Sequence, residues 1–369
     1  MTIETFVPLM EKSEGFEELK KYVIDSGLCS HCGSCLAFCD RLVMGEDGPV
    51  LKEGKNCELE QGAIRCSLCY SICPNISFSI TDLEKKVFGD IKCDPELGCY
   101  KKIVKARSTS KDILNKAQDG GAVTSLLTFA LEKKYIDGAI VAGRTQDWAP
   151  TQILAKTRED LLRSTGSKYS RNELMPKFGE ALREKNRKLA LVGLGCHITG
   201  ARKLEELKLA ATGVDLILIG LFCYESFPHD CLKEELESKL GVSMSDVAKV
   251  RIEKGKVSVW TKDGTPHQMR IKELHRCMVD PCLLCSNLTC MFSDISCGSL
   301  GSEEGWTTLI VRTEKGMKLL DEAVKEGYLE LSDEVDLDGV RRTVSSKNKK
   351  REALVQERTE KGLYVPVFE

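Results

Sequence analysis

Cysteine placement constrains this chain more than any other feature. Of 18 cysteines in 369 residues, ten fall between Cys29 and Cys99 and none follow until Cys196. Cys223 and Cys231 come next, and a last group of five runs from Cys277 to Cys297. So many thiols mean disulfides or metal. Disulfide frameworks belong to small secreted chains. This chain is long, and Glu11, Lys12, Glu14, Glu17 and Glu18 interrupt the apolar residues of its start, so no secretory h-region is present. Its longest apolar run, near Leu216–Cys223, is too short to cross a bilayer. The expectation is a cytoplasmic, reduced protein, at most peripheral to a membrane complex, whose thiols bind metal.

The spacing says which metal group. Cys29, Cys32, Cys35 and Cys39 follow C-x2-C-x2-C-x3-C, and Cys66, Cys69, Cys73 and Pro74 mirror the end of that pattern. In such runs three thiolates of one loop grip one [4Fe–4S] cubane and the fourth ligates the other cluster. Cys57 can supply the missing member of the second run. The expected sets are Cys29, Cys32, Cys35 and Cys73 on one cluster, and Cys39, Cys57, Cys66 and Cys69 on the other. Asp40 stands where the pattern usually has Pro, a turn residue and not a ligand. The alternative, structural zinc, takes four ligands, usually from two CxxC pairs, and three cysteines at x2, x2 spacing suit one tetrahedral ion poorly. Residues 1–90 therefore read as a bacterial-type ferredoxin domain for electron transfer. Its oxygen-sensitive clusters point to an anaerobic host. Cys93 and Cys99 are left unassigned.

Apolar residues make up 42% of the chain, enough for packed cores, and the length suggests two domains. A formal net charge of −2 gives no basic face for nucleic acid. Helical spacing of Val123, Leu126, Leu127, Ala130 and Leu131 predicts a helix over Ala122–Lys134. Buried strands are expected at 138–143, 153–155, 189–194, 215–222 and 307–312. Helices are expected at 158–163, 172–185, 199–207 and 316–325. Continuous apolar strands alternating with amphipathic helices predict an α/β body with a sheet covered on both faces. Between Val250 and Ile271 the pattern changes to a hairpin turning at Asp263-Gly264. The body is drawn as residues 91–345, and 346–369 as a charged tail whose run Lys347–Arg351 reads as a solvated face.

Within the body, Asp119-Gly120-Gly121 precedes the helix at Ala122. Glycines there can expose N–H groups to a phosphate at the helix start, with Thr124 and Ser125 adding hydroxyls. The bland alternative is a helix-entry turn. Gly166-Ser167-Lys168 is a second small-residue loop carrying one cation. No G-x-G-x-x-G is present, so a standard Rossmann site is not supported. For a third cluster, Cys282-x2-Cys285 is the body's only x2 pair, and Cys196 and Cys223 each follow a buried strand. Cys277, Cys290 and Cys297 remain alternatives, and Cys223 and Cys231 can also be small buried apolar residues. His197 is a candidate proton carrier, although a histidine bonded to backbone at a helix start is the preferred reading.

Several segments in order carry a resemblance. They are Gln118–Leu127 (QDGGAVTSLL), Ser164–Tyr169 (STGSKY), Gly193–His197 (GLGCH), Gly220–Cys223 (GLFC), Cys282-x2-Cys285, Asp294–Ser296, Gly298–Gly301 and Gly305-Trp306. Across roughly residues 90–345 the sequence resembles the family of coenzyme F420 hydrogenase/dehydrogenase beta subunits. A ferredoxin module ahead of such a body is similar to the electron-input subunits of archaeal F420H2 dehydrogenases. The resemblance implies FAD, one further [4Fe–4S] cluster and hydride exchange with coenzyme F420. It places cofactor contacts at Gly120, Gly121, Thr124, Ser125, Gly166, Ser167, Lys168, Tyr169, Gly195 and His197, with Lys168 on the FAD phosphate or the anionic deazaflavin tail. The expected body-cluster ligands are Cys196, Cys223, Cys282 and Cys285. No side chain is assigned as catalytic. The implied activity is that of an F420H2 dehydrogenase passing single electrons to a partner, such as a membrane F420H2 dehydrogenase complex, a heterodisulfide reductase or a soluble oxidoreductase. Rival readings are the same architecture with NAD(P)H or another donor, and an electron relay with no substrate of its own.

Overall fold

The computed structural model describes residues 15–57, 66–184, 186–206 and 213–368. Thirteen strands are described. A hairpin joins β1 (Leu42–Met44) and β2 (Pro49–Leu51) in the N-terminal module. The main sheet contains β3 (Lys102–Ser108), β4 (Gly138–Arg144), β5 (Pro150–Ala155), β6 (Lys188–Gly193), β7 (Asp215–Leu221), β11 (Ile295–Gly298), β12 (Thr307–Val311) and β13 (Leu329–Ser332). A second sheet contains β8 (Val247–Glu253), β9 (Lys256–Thr261) and β10 (Pro266–Arg270).

The main sheet runs β13-β3-β12-β11-β7-β6-β4-β5. Its centre, β11-β7-β6-β4, is parallel, and every pairing outside that centre is antiparallel. The apolar runs of the central strands are split by the two-residue period of a strand into two cores. Ala139, Val141, Ala190, Val192, Ile217 and Ile219 enter one core, and Ile140, Leu189, Leu191, Leu216 and Leu218 the other. That double burial is why these strands carry almost no polar residues. Because β3 is antiparallel to β12, and β12 to β11, β3 points the same way as the parallel centre. Five strands therefore end at one edge, where ligands gather in open α/β sheets.

The expected strands and helices of the body are present within a few residues. The helix expected at 172–185 is shorter, Met175–Arg183, entering through Pro176. β3, β11 and β13 have no clear signal in the sequence: KIVKARS is interrupted by charges, and the other two are four residues long. The Asp263-Gly264 turn closes β9 onto β10. Gly264 has φ +87°, Thr261 N–H donates to Thr265 carbonyl oxygen at 3.0 Å, and the Asp263 carboxylate accepts from Thr265 N–H at 3.1 Å.

The N-terminal module has little regular structure, so the body satisfies much of its backbone. Met175 N–H donates to Cys32 oxygen at 3.3 Å, Arg183 Nη1 to Ala37 oxygen at 3.0 Å and Lys203 Nζ to Cys73 oxygen at 2.7 Å. Glycines permit the approach. A Cβ on Gly179 would stand 1.9 Å from Ala37 oxygen, and one on Gly200 2.1 Å from Ser34 Oγ. Ala37, Ile72 and Leu83 share a core with Phe178, Ile198 and Phe292 of the body.

The charged tail corrects one expectation. A single helix, Leu337–Glu360, crosses the drawn boundary at 345. Lys349 and Lys350 are exposed, but Val340, Val344, Lys347 and Arg358 are buried, so the run is not simply a solvated face. Among the described residues no helix is long and apolar enough to cross a membrane.

Candidate redox site

The module's eight candidate thiols fall into two groups. Gly33, at φ +77°, makes a left-handed turn that enters the short 3-10 helix Ser34–Leu36, bringing Cys32 and Cys35 inward from one loop. Burial pushes the Cys35 thiol well up, and the neighbours that add to the rise are Cys32, Cys73, Cys29 and Cys69. Burial likewise raises Cys69 to about 12, reinforced by Cys39, Cys57 and Cys66. The members named in each case belong to one expected ligand set, apart from Cys69, whose charge also reaches Cys35.

The third group assembles from distant segments. Cys196 lies at the start of the helix Gly195–Glu206 that follows β6, and Cys223 just beyond β7, both at the carboxyl edge. Cys282 sits in the short helix Asp280–Leu283, with Cys285 just after it. All four line one cavity with Gly195 and Lys347. Burial pushes Cys196 well up, and the charges opposing its ionisation are those of Cys32, Cys223, Cys282 and Cys285. The body quartet is therefore a neighbour of the module through Cys32. Ser226 Oγ lies 3.7 Å from Cys282 Sγ, and Asn287 N–H donates to Cys285 Sγ at 3.4 Å.

The competing cysteines are placed elsewhere. Cys277 pairs with Cys231 in a disulfide, and Cys93 with Cys99, which corrects the expectation of a wholly reduced chain at those four positions. Cys297 packs in the core of the sheet, and Cys290 is fully buried against Gly220. Cys290 is also close enough to feel Cys223 and Cys285.

These thiols do not suit a single ion. Four sulfurs on one zinc, at bonds of about 2.3 Å, stand about 3.8 Å apart. Among the described residues no three sulfurs of any quartet lie within 4.8 Å of one another, and the one trio that close, Glu84 with Cys93 and Cys99, includes a disulfide. Thiols held as high as about 12, as Cys29, Cys69 and Cys223 are by burial, are also poor nucleophiles. A metal that displaces the proton uses them as they stand.

The candidate flavin residues divide. The loop after the helix Arg158–Ser164 carries Lys168, which donates to the carbonyls of Ser164 and Thr165 and so closes the helix C-terminus. Thr157 starts that helix with a capping box shared with Asp160. Burial, aided by the charge of Arg144, lowers Lys168 to about 7. Arg144, at the end of β4, escapes sequence reasoning because one arginine after a strand carries no pattern. Its guanidinium stacks 3.3 Å from the Trp148 ring centre, and its Nη2 donates to Ala248 oxygen at 3.1 Å. Its buried Nη1 and the nearby segment's buried Gln118 Nε2 have no partner. Among the described residues neither Arg144 nor Lys168 has a carboxylate within 4.0 Å. Two half-buried cations without an acid, beside unsatisfied donors, fit an anionic ligand.

Thr124 joins this region, its Oγ1 3.3 Å from Thr165 Oγ1. Tyr169 accepts from Ile252 N–H at 3.1 Å and is also bonded to Ser167, which ties the loop to the second sheet. Gly166, at φ +90°, gives the loop its left-handed turn.

Other expected contact residues have internal roles. Ser125 is buried and donates to Ser108 Oγ at 2.6 Å, so its hydroxyl is committed internally. Gly120 is glycine because a Cβ would stand 2.5 Å from Ala106 oxygen, and Gly121 because it is left-handed at φ +69°. Both obey packing and turn geometry, as the helix-entry alternative holds. Gly195 lines the thiol cavity. His197 uses both ring nitrogens: Nδ1 accepts from Leu194 N–H at 3.0 Å, and Nε2 donates to Asn172 oxygen at 2.8 Å. Burial lowers it to about 4, so it stays neutral and offers no proton to a cofactor.

One loop links the two sites. Three residues after Lys168, Arg171 donates to Cys29 oxygen at 3.3 Å and feels both Cys282 and Cys29. Three Cα–Cα steps reach at most about 11 Å.

The chain has known relatives. The family of coenzyme F420 hydrogenase/dehydrogenase beta subunits is described in two parts, of which the N-terminal one matches residues 103–177 and the C-terminal one residues 186–336. The coenzyme F420 hydrogenase subunit beta of Methanococcus voltae is 37% identical over 276 residues, covering 73% of this chain and 99% of that protein. A subunit of the F(420)H(2) dehydrogenase of Methanosarcina mazei is 32% identical over 307 residues, covering 81% of this chain and 83% of that protein. A chain of the F420-reducing [NiFe] hydrogenase complex from Methanosarcina barkeri, solved as a xenon derivative, superposes with a TM-score of 0.71 at 35% identity over 75% of this chain and 98% of that one.

Proposed function

This chain belongs to the family of coenzyme F420 hydrogenase/dehydrogenase beta subunits, a family of F420-dependent oxidoreductases, and from that premise we propose that it oxidises reduced coenzyme F420 and passes the electrons to a partner complex. The observation that carries the proposal is the chain of thiol neighbours. The body quartet is near enough to the module for Cys196 to feel the charge of Cys32, and Cys35 of one module quartet feels Cys69 of the other.

In this reading Cys196, Cys223, Cys282 and Cys285 hold one [4Fe–4S] cluster, Cys29, Cys32, Cys35 and Cys73 the second, and Cys39, Cys57, Cys66 and Cys69 the third. Lys168, Arg144 and Thr124 hold the phosphates of FAD. A bound flavin converts a two-electron hydride donor into a source of single electrons, which is what clusters carry. The chain's residues position and insulate. Lys168 and Arg144 neutralise an anion where water is excluded. The loop to Arg171 keeps that anion site close to Cys29 and Cys282. The buried neutral His197 fixes the loop at Asn172 without taking part in proton transfer. Cys66, the exposed thiol among the twelve candidates, faces the partner. Relatives named as subunits of an F420 hydrogenase and an F420H2 dehydrogenase make a larger assembly, such as a membrane F420H2 dehydrogenase or a heterodisulfide reductase, the natural acceptor.

The test is an anaerobic titration of the purified protein with F420H2, following flavin and cluster absorbance together. Bleaching of both, with NADPH inert, is the expected result. Bound flavin that dithionite reduces and F420H2 does not would sink the F420 assignment, and reduction by NADPH would replace it.

A further inference from the structure

Both family matches end by residue 336, yet the helix Leu337–Glu360 and the segment after it grip the site. Arg351 Nε donates to Leu284 oxygen at 3.0 Å. Arg358 pairs with Asp280 and donates to Ser26 oxygen of the module at 2.9 Å. Tyr364 hydroxyl lies 3.2 Å from Ser77 Oγ, and Phe368 forms a parallel bridge to Phe78. Pro366 and Phe368 line the cavity that holds the body thiols. This segment straps module to body over the third quartet.

The strap also brings a charge. Lys347 is only 3% exposed, its ammonium donating to Tyr224 oxygen and, at 3.1 Å, to Cys282 oxygen. Among the described residues it forms no ion pair with a carboxylate. Glu225 feels the charges of Lys350 and Lys347 yet keeps a buried oxygen without a partner. An unpaired buried ammonium is costly unless negative charge balances it. Four thiolates supply that charge. Burial raises Cys223 to about 12, and Lys347 is the first influence pulling it back.

We propose that Lys347 is a positioning residue whose fixed charge raises the reduction potential of the body cluster. The inference rests on the cluster assignment above. Reduction adds one electron and one negative charge to a cluster, so a cation held beside it favours the reduced form. The inner module quartet has its own cation, Lys203 on Cys73 oxygen, so loss of Lys347 acts on one cluster of the three.

The test is an anaerobic potentiometric titration, read by electron paramagnetic resonance with iron analysis, on the whole chain and on Lys347→Gln and Lys347→Arg. Gln can still donate to the carbonyls but carries no charge. The expected result is that one midpoint falls in Lys347→Gln, its reduced-to-oxidised ratio dropping about tenfold at fixed potential, or about 59 mV for one electron. The other two midpoints stay, and Lys347→Arg restores the first. Unchanged midpoints with full iron content overturn the inference. If the Gln variant loses iron, Lys347→Met is read by the same criterion, and a wild-type midpoint in it also overturns the inference. A wild-type chain with about eight irons instead of about twelve shows a different failure, that of the body-cluster assignment itself.

Discussion

The two thiol-bearing regions reach the same chemistry by opposite routes. In the module, seven of the eight candidate ligands sit in two short runs, Cys29–Cys39 and Cys66–Cys73, where spacing alone groups them. In the body, Cys196, Cys223 and the Cys282–Cys285 pair span 90 positions and meet only because β6 and β7 are adjacent parallel strands that end together. The first site is built by a loop and needs support from outside, since its carbonyls are satisfied by body side chains. The second is built by the sheet and needs only a cover. A loop-built site depends on its docking, and a sheet-built site on its strand order.

The largest effect comes from removing a ligand. Cys282→Ala is expected to lower iron by about four atoms of about twelve per chain and to stop electron flow from F420H2 to an external acceptor, while the module's signals persist. Loss of the module's iron as well would merge the two regions into one cooperative site.

Gly179→Val strikes the docking surface, since its Cβ has 1.9 Å to Ala37 oxygen. Overpacking there costs about 1–3 kcal/mol. Thermal unfolding should begin earlier, with module iron released before body iron. Simultaneous release would show that the module has no separate dependence on docking.

The anion site belongs to the body alone. Lys168→Met and Arg144→Met should each weaken FAD binding about tenfold, measured by flavin retention, with cluster content unchanged. With its proton held near pH 7 in the free chain and tightened by an anion, Lys168 gives full affinity below about pH 7. Affinity then declines as pH rises toward 9. Lys168→Arg should flatten that decline, and a profile identical to the wild type would remove Lys168 from the flavin.

The smallest effect tests the frame around that loop. Thr157→Ala breaks the capping box of the helix Arg158–Ser164 and should cost about 1 kcal/mol in a denaturant melt. Iron content should not change. A change would tie the helix to the cluster regions more tightly than Arg171 alone does.

How much was legible follows the same division. Runs such as DLILIGLF and KLALVG are buried on both faces, and their composition announces it, so the parallel centre was readable. Lys102–Ser108 was not, because a sheet partner rather than its own alternation makes KIVKARS a strand. Gly120 and Gly121 look the same in sequence whether they cradle a phosphate or merely fit a crowded turn. The 2.5 Å gap from a Gly120 Cβ to Ala106 oxygen shows that the crowded turn alone requires glycine there. Lys347 and Arg358 lie in a charged stretch, and charge patterns describe surfaces until a neighbouring carbonyl claims one member. Arg144 had no pattern to betray it.

By itself the sequence determined the ligand spacing of the module, the apolar strands and the family motifs, because these are local properties of a chain. The tertiary structure decided which distant cysteines meet, which glycines serve packing, which histidine is spent on backbone, and which lysine of the tail is buried against Cys282. Those depend on what stands across a gap of a few ångströms, and no local pattern encodes a neighbour tens of residues away.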